Sequence, residues 1–396
     1  MVLSYIWKYI SGWSNYSGIV TSHNMKETEM GNRGSKSMIL EEDIVVKEQR
    51  VDGSCIGVPR FLQNSLPMLR CTLMGLERDY QIRNLSKVLH KKEVRFYSTS
   101  NNKNKISLNP WFLTGFIDGE GCFRISLTKV KSAIGWRVQL FFQINLHVKD
   151  RALLEMIRDY LGVGKIHNSG ENIIQYRIQT SDELAVLIKH LDAYPLMTQK
   201  RVDYILFKEG YELVIKKAHL TKEGLLKIVS LRASLNSGLS EQLKDAFTEV
   251  IPVTRFTDFS VTNNLNCNWL SGFASAESCF LVGITKSNLC RAGYQVYLTF
   301  IITQHIRDEL LMKGLKEFFG YGRLSRKRDV YEFQVSKFSD VEKIIAFFEK
   351  YPILGEKAKD FNDFSIVAQL MKNKVHLTEE GVAQIRKIKE GMNRGR

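Results

Sequence analysis

The strongest constraint on this chain is an internal repeat. The stretch from Leu113 to Phe123 (LTGFIDGEGCF) returns from Leu270 to Phe280 (LSGFASAESCF), 157 positions later. At the same offset Tyr194-Pro195 matches Tyr351-Pro352, Lys200 matches Lys357, Asp203 matches Asp360, and His219-Leu220-Thr221 matches His376-Leu377-Thr378. Gly162-Val163-Gly164 pairs with Gly320-Tyr321-Gly322 at an offset of 158. Landmarks in one order at nearly one spacing mean that a single structural unit is used twice. Two copies are too few for a solenoid, so they are expected to fold alike about a pseudo-twofold axis.

The order of elements inside a copy is readable. Asn109-Pro110 suits the N-cap and first-turn proline of a helix running to Glu120. Residues 124–128, 137–144, 165–167 and 173–179 alternate at period two and predict strands. Residues 150–161 have helical spacing and stop at Gly162, a natural C-cap. Helices follow over 182–191 and 199–215. The fold class is α+β: two pseudo-twofold αββαββα repeats, each with a four-stranded antiparallel sheet. The repeats are placed at residues 106–230 and 266–396, joined by 231–265. Residues 1–105 mix polar clusters with short apolar patches and sustain no period, so a poorly ordered leader is expected there.

Composition narrows the partner. The chain has 57 Lys+Arg against 42 Asp+Glu, a net charge of +15, which favours a polyanion. No run of about 18 apolar residues exists, so no spanning helix and no membrane partner are expected. The six cysteines (Cys55, Cys71, Cys122, Cys267, Cys279, Cys290) form no C-x-x-C pair, which argues against a disulfide scaffold or zinc module. Neither H-E-x-x-H nor G-x-x-x-x-G-K-[ST] occurs. The N-terminal 22 residues show neither a secretory signal nor an Arg-rich transit peptide. Residues 106–396 hold 41 Lys+Arg and 32 Asp+Glu, an excess of only +9. Where the basic and amide side chains stand therefore matters more than their sum.

The predicted strands place them on one face. Arg124, Ser126 and Thr128 alternate with Ile125 and Leu127, and Arg137, Gln139 and Gln143 with Val138, Leu140 and Ile144. Gln175, Arg177 and Gln179 alternate with Tyr176 and Ile178, while Lys165 and His167 flank Ile166. In the second copy Gln295, Tyr297 and Thr299 alternate with Val296, Leu298 and Phe300, Arg323 and Ser325 flank Leu324, and Glu332 and Gln334 alternate with Tyr331 and Phe333. Thr285 and Lys286 close the strand after the second motif. Such alternation commonly marks only a solvated sheet face. These side-chain types, however, read base edges and phosphates, and a two-stranded ribbon fits the major groove of duplex DNA. Two such sheets would cover half-sites about 34–36 Å apart.

The two motif helices add chemistry. Gly115 and Gly119 share a helix face, as do Gly272 and Ala276, and small residues at that spacing let helix backbones approach. Phe116 and Phe273 are expected to enter the separate cores. Each helix ends on a carboxylate, Glu120 or Glu277, where the helix dipole disfavours negative charge. If the helices pack side by side, both carboxylates emerge at one end. Paired carboxylates beside DNA suit Mg²⁺ and phosphodiester hydrolysis.

These stretches carry a resemblance. Leu113 to Gly121 resembles the signature of LAGLIDADG homing endonucleases, and Leu270 to Ser278 resembles its second copy. The likeness spans residues 106–396 and includes Tyr194 to Arg201, the Gly-x-Gly turns, Leu146 to Asp150 and Gln304 to Asp308. It is to the single-chain, two-motif kind encoded in group I introns of fungal mitochondria. The resemblance implies a DNA-binding saddle and Mg²⁺-dependent (or Mn²⁺-dependent) cleavage of both strands at a long target. It implies a monomer translated in the mitochondrial matrix from an organelle gene. It assigns the metal to Glu120, Glu277, Gly119 and Ala276, and catalysis to the two glutamates with Lys200, Lys357 and Gln304. Leu146 holds the place of Gln304 in the first copy. Two departures occur in the second motif: Ser275 replaces the first acid and Ser278 the final glycine. If the helix end needs a positive φ there, Ser278 is strained and Glu277 displaced, which would leave a nicking enzyme or a DNA-binding remnant. An RNA maturase that assists splicing of the host intron is the other alternative.

Overall fold

The computed structural model describes residues 45–49, 55–59, 108–132, 134–256 and 265–393. In the leader, Val45–Gln49 (β1) and Cys55–Pro59 (β2) form a two-stranded sheet that the aperiodic sequence does not announce. The rest of the leader lies outside the described residues.

The first repeat runs α1 (Pro110–Glu120), β3 (Gly121–Lys129), β4 (Trp136–His147), α2 (Arg151–Leu161), β5 (Lys165–Asn168), β6 (Ile173–Ile178), α3 (Ser181–Ala193), α4 (Lys200–Ile215) and α5 (Lys222–Ser234). A short helix, α6 (Glu241–Ala246), lies in the connection. The second repeat runs α7 (Cys267–Glu277), β7 (Ser278–Lys286), β8 (Tyr294–His305), α8 (Glu309–Phe319), β9 (Arg323–Lys327), β10 (Val330–Val335), α9 (Phe338–Lys350), α10 (Lys357–Lys372) and α11 (Glu379–Glu390). The sheets are antiparallel, in the orders β3-β4-β6-β5 and β7-β8-β10-β9. This is the expected α+β architecture of two four-stranded repeats.

Local chemistry sets the boundaries. The side chain of Asn109 accepts the Trp111 N–H at 2.9 Å, and Asn266 does the same for Asn268 and Trp269, so both motif helices start on an Asn cap. Gly162 and Gly320 close α2 and α8 at φ 71° and 70°, the left-handed region that glycine enters without strain. Thr180 and Glu183 form a reciprocal capping box on α3. One face of each sheet is core: Phe123, Phe142, Ile144 and Tyr176 in the first, Phe280, Phe300, Ile302 and Phe333 in the second. Phe116 packs into the first core and Phe273 into the second.

Each repeat carries helices beyond the αββαββα reading. α5 and α11 begin at Thr221 and Thr378, whose hydroxyls accept the N–H of Gly224 and Gly381 at 3.0 Å each. α5 runs on to Ser234, past the boundary placed at residue 230. The Asp203 and Asp360 landmarks are structural. They accept the N–H of Asn236 (3.4 Å) and Asn393 (2.9 Å), and those asparagines donate to Phe123 O and Phe280 O, tying each repeat's end to its first strand.

Candidate catalytic site and nucleic-acid interface

Helices α1 and α7 touch backbone to backbone. A Cβ added to Gly115 would sit 1.9 Å from Trp269 O, and one added to Gly272 would sit 1.9 Å from Phe112 O. The two contacts are equivalent under the repeat. Further along, a Cβ on Gly119 would lie 2.3 Å from Ala276 Cβ and 3.2 Å from Glu277 Cγ, so one methyl fits there and two do not. Both helices end one residue later, at Glu120 and Glu277. Glu120 is buried and Glu277 half-buried.

A lysine stands at each helix end. Lys200 Nζ donates to Gly119 O at 2.7 Å and to Ile117 O at 3.1 Å. Lys357 Nζ donates to Ser278 O at 2.5 Å. Cations there satisfy orphan carbonyls and oppose the negative pole of the dipole, which eases the placement of a carboxylate at a helix C-terminus. The Gly119 carbonyl thus has an ammonium as its partner. Glu120 and Glu277 are the two carboxylates that close this pair of helices. Among the described residues no group of three or more His, Cys, Asp or Glu could hold a metal ion. A two-carboxylate set fits Mg²⁺, which keeps several waters and takes substrate phosphates as further ligands.

The two departures of the second motif have physical accounts. Gly121 has φ −67° and Ser278 φ −86°, both extended, so neither helix end needs a left-handed residue and the strain feared at Ser278 is absent. Gly121 is small for another reason: its Cβ would lie 2.6 Å from Ile117 Cγ2, 2.7 Å from Ile117 O and 3.0 Å from the Phe142 ring. In the second repeat Ala274 replaces that isoleucine, and the Ser278 hydroxyl occupies the space and donates to Ala274 O at 2.6 Å. Asp118 is buried and accepts from Met197 N, Thr198 N, Thr198 Oγ1 and, across the halves, Trp269 Nε1 at 2.7 Å. Burial pushes its carboxyl up to about 6 against the downward pull of those bonds. Ser275 takes over part of this work: its Oγ accepts the N–H of Leu354, the counterpart of Met197, at 3.1 Å.

Strand register places the residues expected to face nucleic acid. Ser126 stands opposite Gln139 and Thr128 opposite Arg137, and both Lys165 and Gln143 stand opposite Arg177. Asn145 and His167 likewise flank Gln175. All share the face away from the core. Gln179 is exposed just past β6. Gln143 stands on this face as its alternation predicts, and two residues there were not expected, Asn145 and Phe141. Gln175 Nε2 donates to Asn145 Oδ1 (2.9 Å) and Gln143 Oε1 (3.3 Å). Arg124 stands opposite Phe141, and the Arg177 guanidinium stacks 3.7 Å from the Phe141 ring centroid. Burial and the neighbouring Arg124 charge both lower the pKa of Arg177.

The second face is chemically different. Thr285, Gln295, Tyr297, Thr299, Arg323, Ser325 and Gln334 share it with Leu281, Ile301 and Glu332. Glu332 is buried and paired with Lys327 at 2.6 Å, and Gln334 Nε2 donates to it at 2.9 Å. Two expected residues stand elsewhere. Lys286 pairs with Tyr294 and Gln304 with Tyr331, which puts both on the core-side parity of the sheet. Period-two alternation allows no other outcome for a lysine next to Thr285.

Comparisons with known proteins agree with this architecture. The LAGLIDADG endonuclease family pattern matches residues 113–211 and 270–368, one match per repeat. The chain is 42% identical to "Probable intron-encoded endonuclease 3" of Neurospora crassa, over 96% of this chain and 73% of that one. It is similar to the LAGLIDADG meganuclease I-AabMI, solved bound to uncleaved DNA, with 67% identity and a TM-score of 0.68 over 72% of this chain and all of that one. It is also similar to I-SmaMI, a LAGLIDADG homing endonuclease solved bound to cleaved DNA, with 41% identity and a TM-score of 0.71 over 73% of this chain and 98% of that one. With two motif helices packed through their small residues, two equivalent sheets and a family match on both repeats, the chain belongs to the LAGLIDADG endonuclease family.

Proposed function

We propose that this protein is a site-specific endonuclease that cuts both strands of a DNA duplex, with divalent metal held by one carboxylate from each repeat. The observation that carries the reading is the α1–α7 contact. It brings Glu120 and Glu277 to one end of a close helix pair, with Lys200 and Lys357 bonded to the same helix ends. Glu120 and Glu277 would hold Mg²⁺ (or Mn²⁺), which supplies Lewis-acid stabilisation of the attacking and leaving oxygens of a phosphodiester. The lysines hold positive charge beside the scissile phosphates. The polar faces of the two sheets seat the duplex, with Arg177 pre-oriented by Phe141 to offer its planar fork to a guanine edge.

The unlike faces suit an asymmetric target: a basic, amide-rich face on one half-site, a mixed face bearing Glu332 on the other. The relative's printed name, an intron-encoded endonuclease, supports an intron as the coding site and homing as the role. A monomer translated in the mitochondrion fits that role.

With Mg²⁺, the protein is expected to cut a duplex spanning the intron-insertion site of an intronless allele. Glu120→Gln and Glu277→Gln should abolish cutting and keep binding. Cleavage retained in both variants refutes the two-carboxylate site. No cleavage by the parent chain, together with tight binding to the host intron RNA, favours the maturase instead.

A further inference from the structure

The stretches His147 to Asp150 and His305 to Asp308 are not used by the cleavage chemistry above. In each, the histidine Nδ1 accepts a backbone N–H two residues on, Lys149 or Arg307, at 3.2 Å. That bond closes a single 3₁₀ turn whose last residue is the aspartate. The aspartate then reaches into the other half. Asp308 Oδ1 accepts the Gln199 N–H at 2.6 Å, and Asp150 Oδ1 accepts the Glu356 N–H at 2.7 Å.

Gln199 and Glu356 are the N-caps of α4 and α10, and neither provides a side-chain cap of its own. The first residues of those helices are Lys200 and Lys357. On α4 the Thr198 hydroxyl accepts the N–H of Lys200 at 3.1 Å, and the N–H of the cap residue itself is taken, at both helices, by the opposite repeat, where a carboxylate also meets the positive pole of the dipole. Asp308 is 4% exposed, and the Lys200 charge acts on it, as that of Lys357 acts on Asp150. The exchange extends to packing: Met197 lies against the second core and Leu354 against the first.

We propose that Asp150 and Asp308 are positioning residues for strand cleavage, each fixing the lysine helix of the opposite half: Asp308 sets Lys200, and Asp150 sets Lys357. The inference rests on the reading that the lysines serve the reaction. It makes each strand's cut depend on both repeats, so damage to one half's turn appears in the other half's chemistry.

The test is single-turnover cleavage by the full chain with Mg²⁺ on a duplex whose strands carry different end labels. Asp308→Ala should slow one strand about 10-fold, the same strand that Lys200→Ala slows, and leave the other within about two-fold. Asp150→Ala should slow the opposite strand, in step with Lys357→Ala. Asp308→Asn and Asp150→Asn keep the accepting Oδ1 and should restore most of the rate, with DNA affinity unchanged throughout. Equal slowing of both strands by either alanine variant, with weakened binding, would reveal a general interface role and overturn the proposal. So would asparagine variants as slow as the alanines. If Lys200→Ala and Lys357→Ala cut like the parent, the lysine reading fails and the inference with it. If they are slow while the aspartate variants are not, only the inference fails.

Discussion

Gly115→Ala tests whether the helix contact sets the spacing of the carboxylates. The added Cβ would start 1.9 Å from Trp269 O, whereas real Cβ atoms essentially never come under 3.0 Å. The neighbour is backbone, so no rotamer change relieves the clash. Helices α1 and α7 must move apart by about 1.1 Å, an overpacking cost of about 1–3 kcal/mol. A misplacement of about 1 Å near reacting groups costs about 100-fold in rate. Single-turnover cleavage should therefore fall about 100-fold while Tm falls by only a few degrees. Gly314→Ala in α8 is the control: nothing lies within 4 Å of its Cβ, so it should cut normally and gain about 0.5–1 kcal/mol. A Gly115→Ala protein that cuts at the parent rate and melts no lower would refute the argument, because the close approach would then not govern the distance between Glu120 and Glu277.

Gly121→Ser should destabilise by about 1–3 kcal/mol through its clash with Ile117, and adding Ile117→Ala should recover part of the loss, because the side-chain contact goes while the Ile117 carbonyl stays 2.7 Å from the new Cβ. Thermal melting decides it, and a double variant no better than the single would sink the paired-size account. Arg177→Ala should weaken DNA binding by about 1–3 kcal/mol and relax selection at one base position. Arg177→Lys keeps the charge without the planar fork and should lose that discrimination too. Competition against single-base target variants reads this out, and a uniform loss at every position would make Arg177 a phosphate contact instead.

The repeat made much of this architecture legible, because identical offsets fix which elements must be equivalent. Asn109 and Gly162 marked helix ends because their chemistry acts within one turn. α5 and α11 stayed hidden because their start signal, Thr221 or Thr378, sits in a polar stretch that resembles a connection. Phe141 could not be turned outward from sequence: it stands in the apolar run from Leu140 to Phe142, where alternation gives no preferred face. The same rule, applied to Lys286, predicts its distance from Thr285's face, yet a basic residue at a strand end invites the opposite choice. A glycine at a helix end signals a left-handed residue only when φ is positive; Gly121 is extended and is small because Ile117 and Phe142 crowd it, so its replacement by Ser278 brings no backbone strain. The inter-repeat bonds of Asp118, Asp150 and Asp308 join residues 109 to 206 positions apart, a range over which no local period carries information.

Those long separations bear on how the protein comes into being. During synthesis the first repeat can be complete through Ser234 while the carboxylate that caps α4 is still unmade, because Asp308 lies in the second repeat. The reciprocal bond from Asp150 waits longer, until Glu356 has left the ribosome. Contacts of this range close late and slowly in folding. A partly made chain can thus hold its first four-stranded sheet, with Asp118 already on Met197 and Thr198, before a carboxylate of the opposite repeat reaches either lysine helix. Competence to break the duplex arrives only with the last third of the polypeptide.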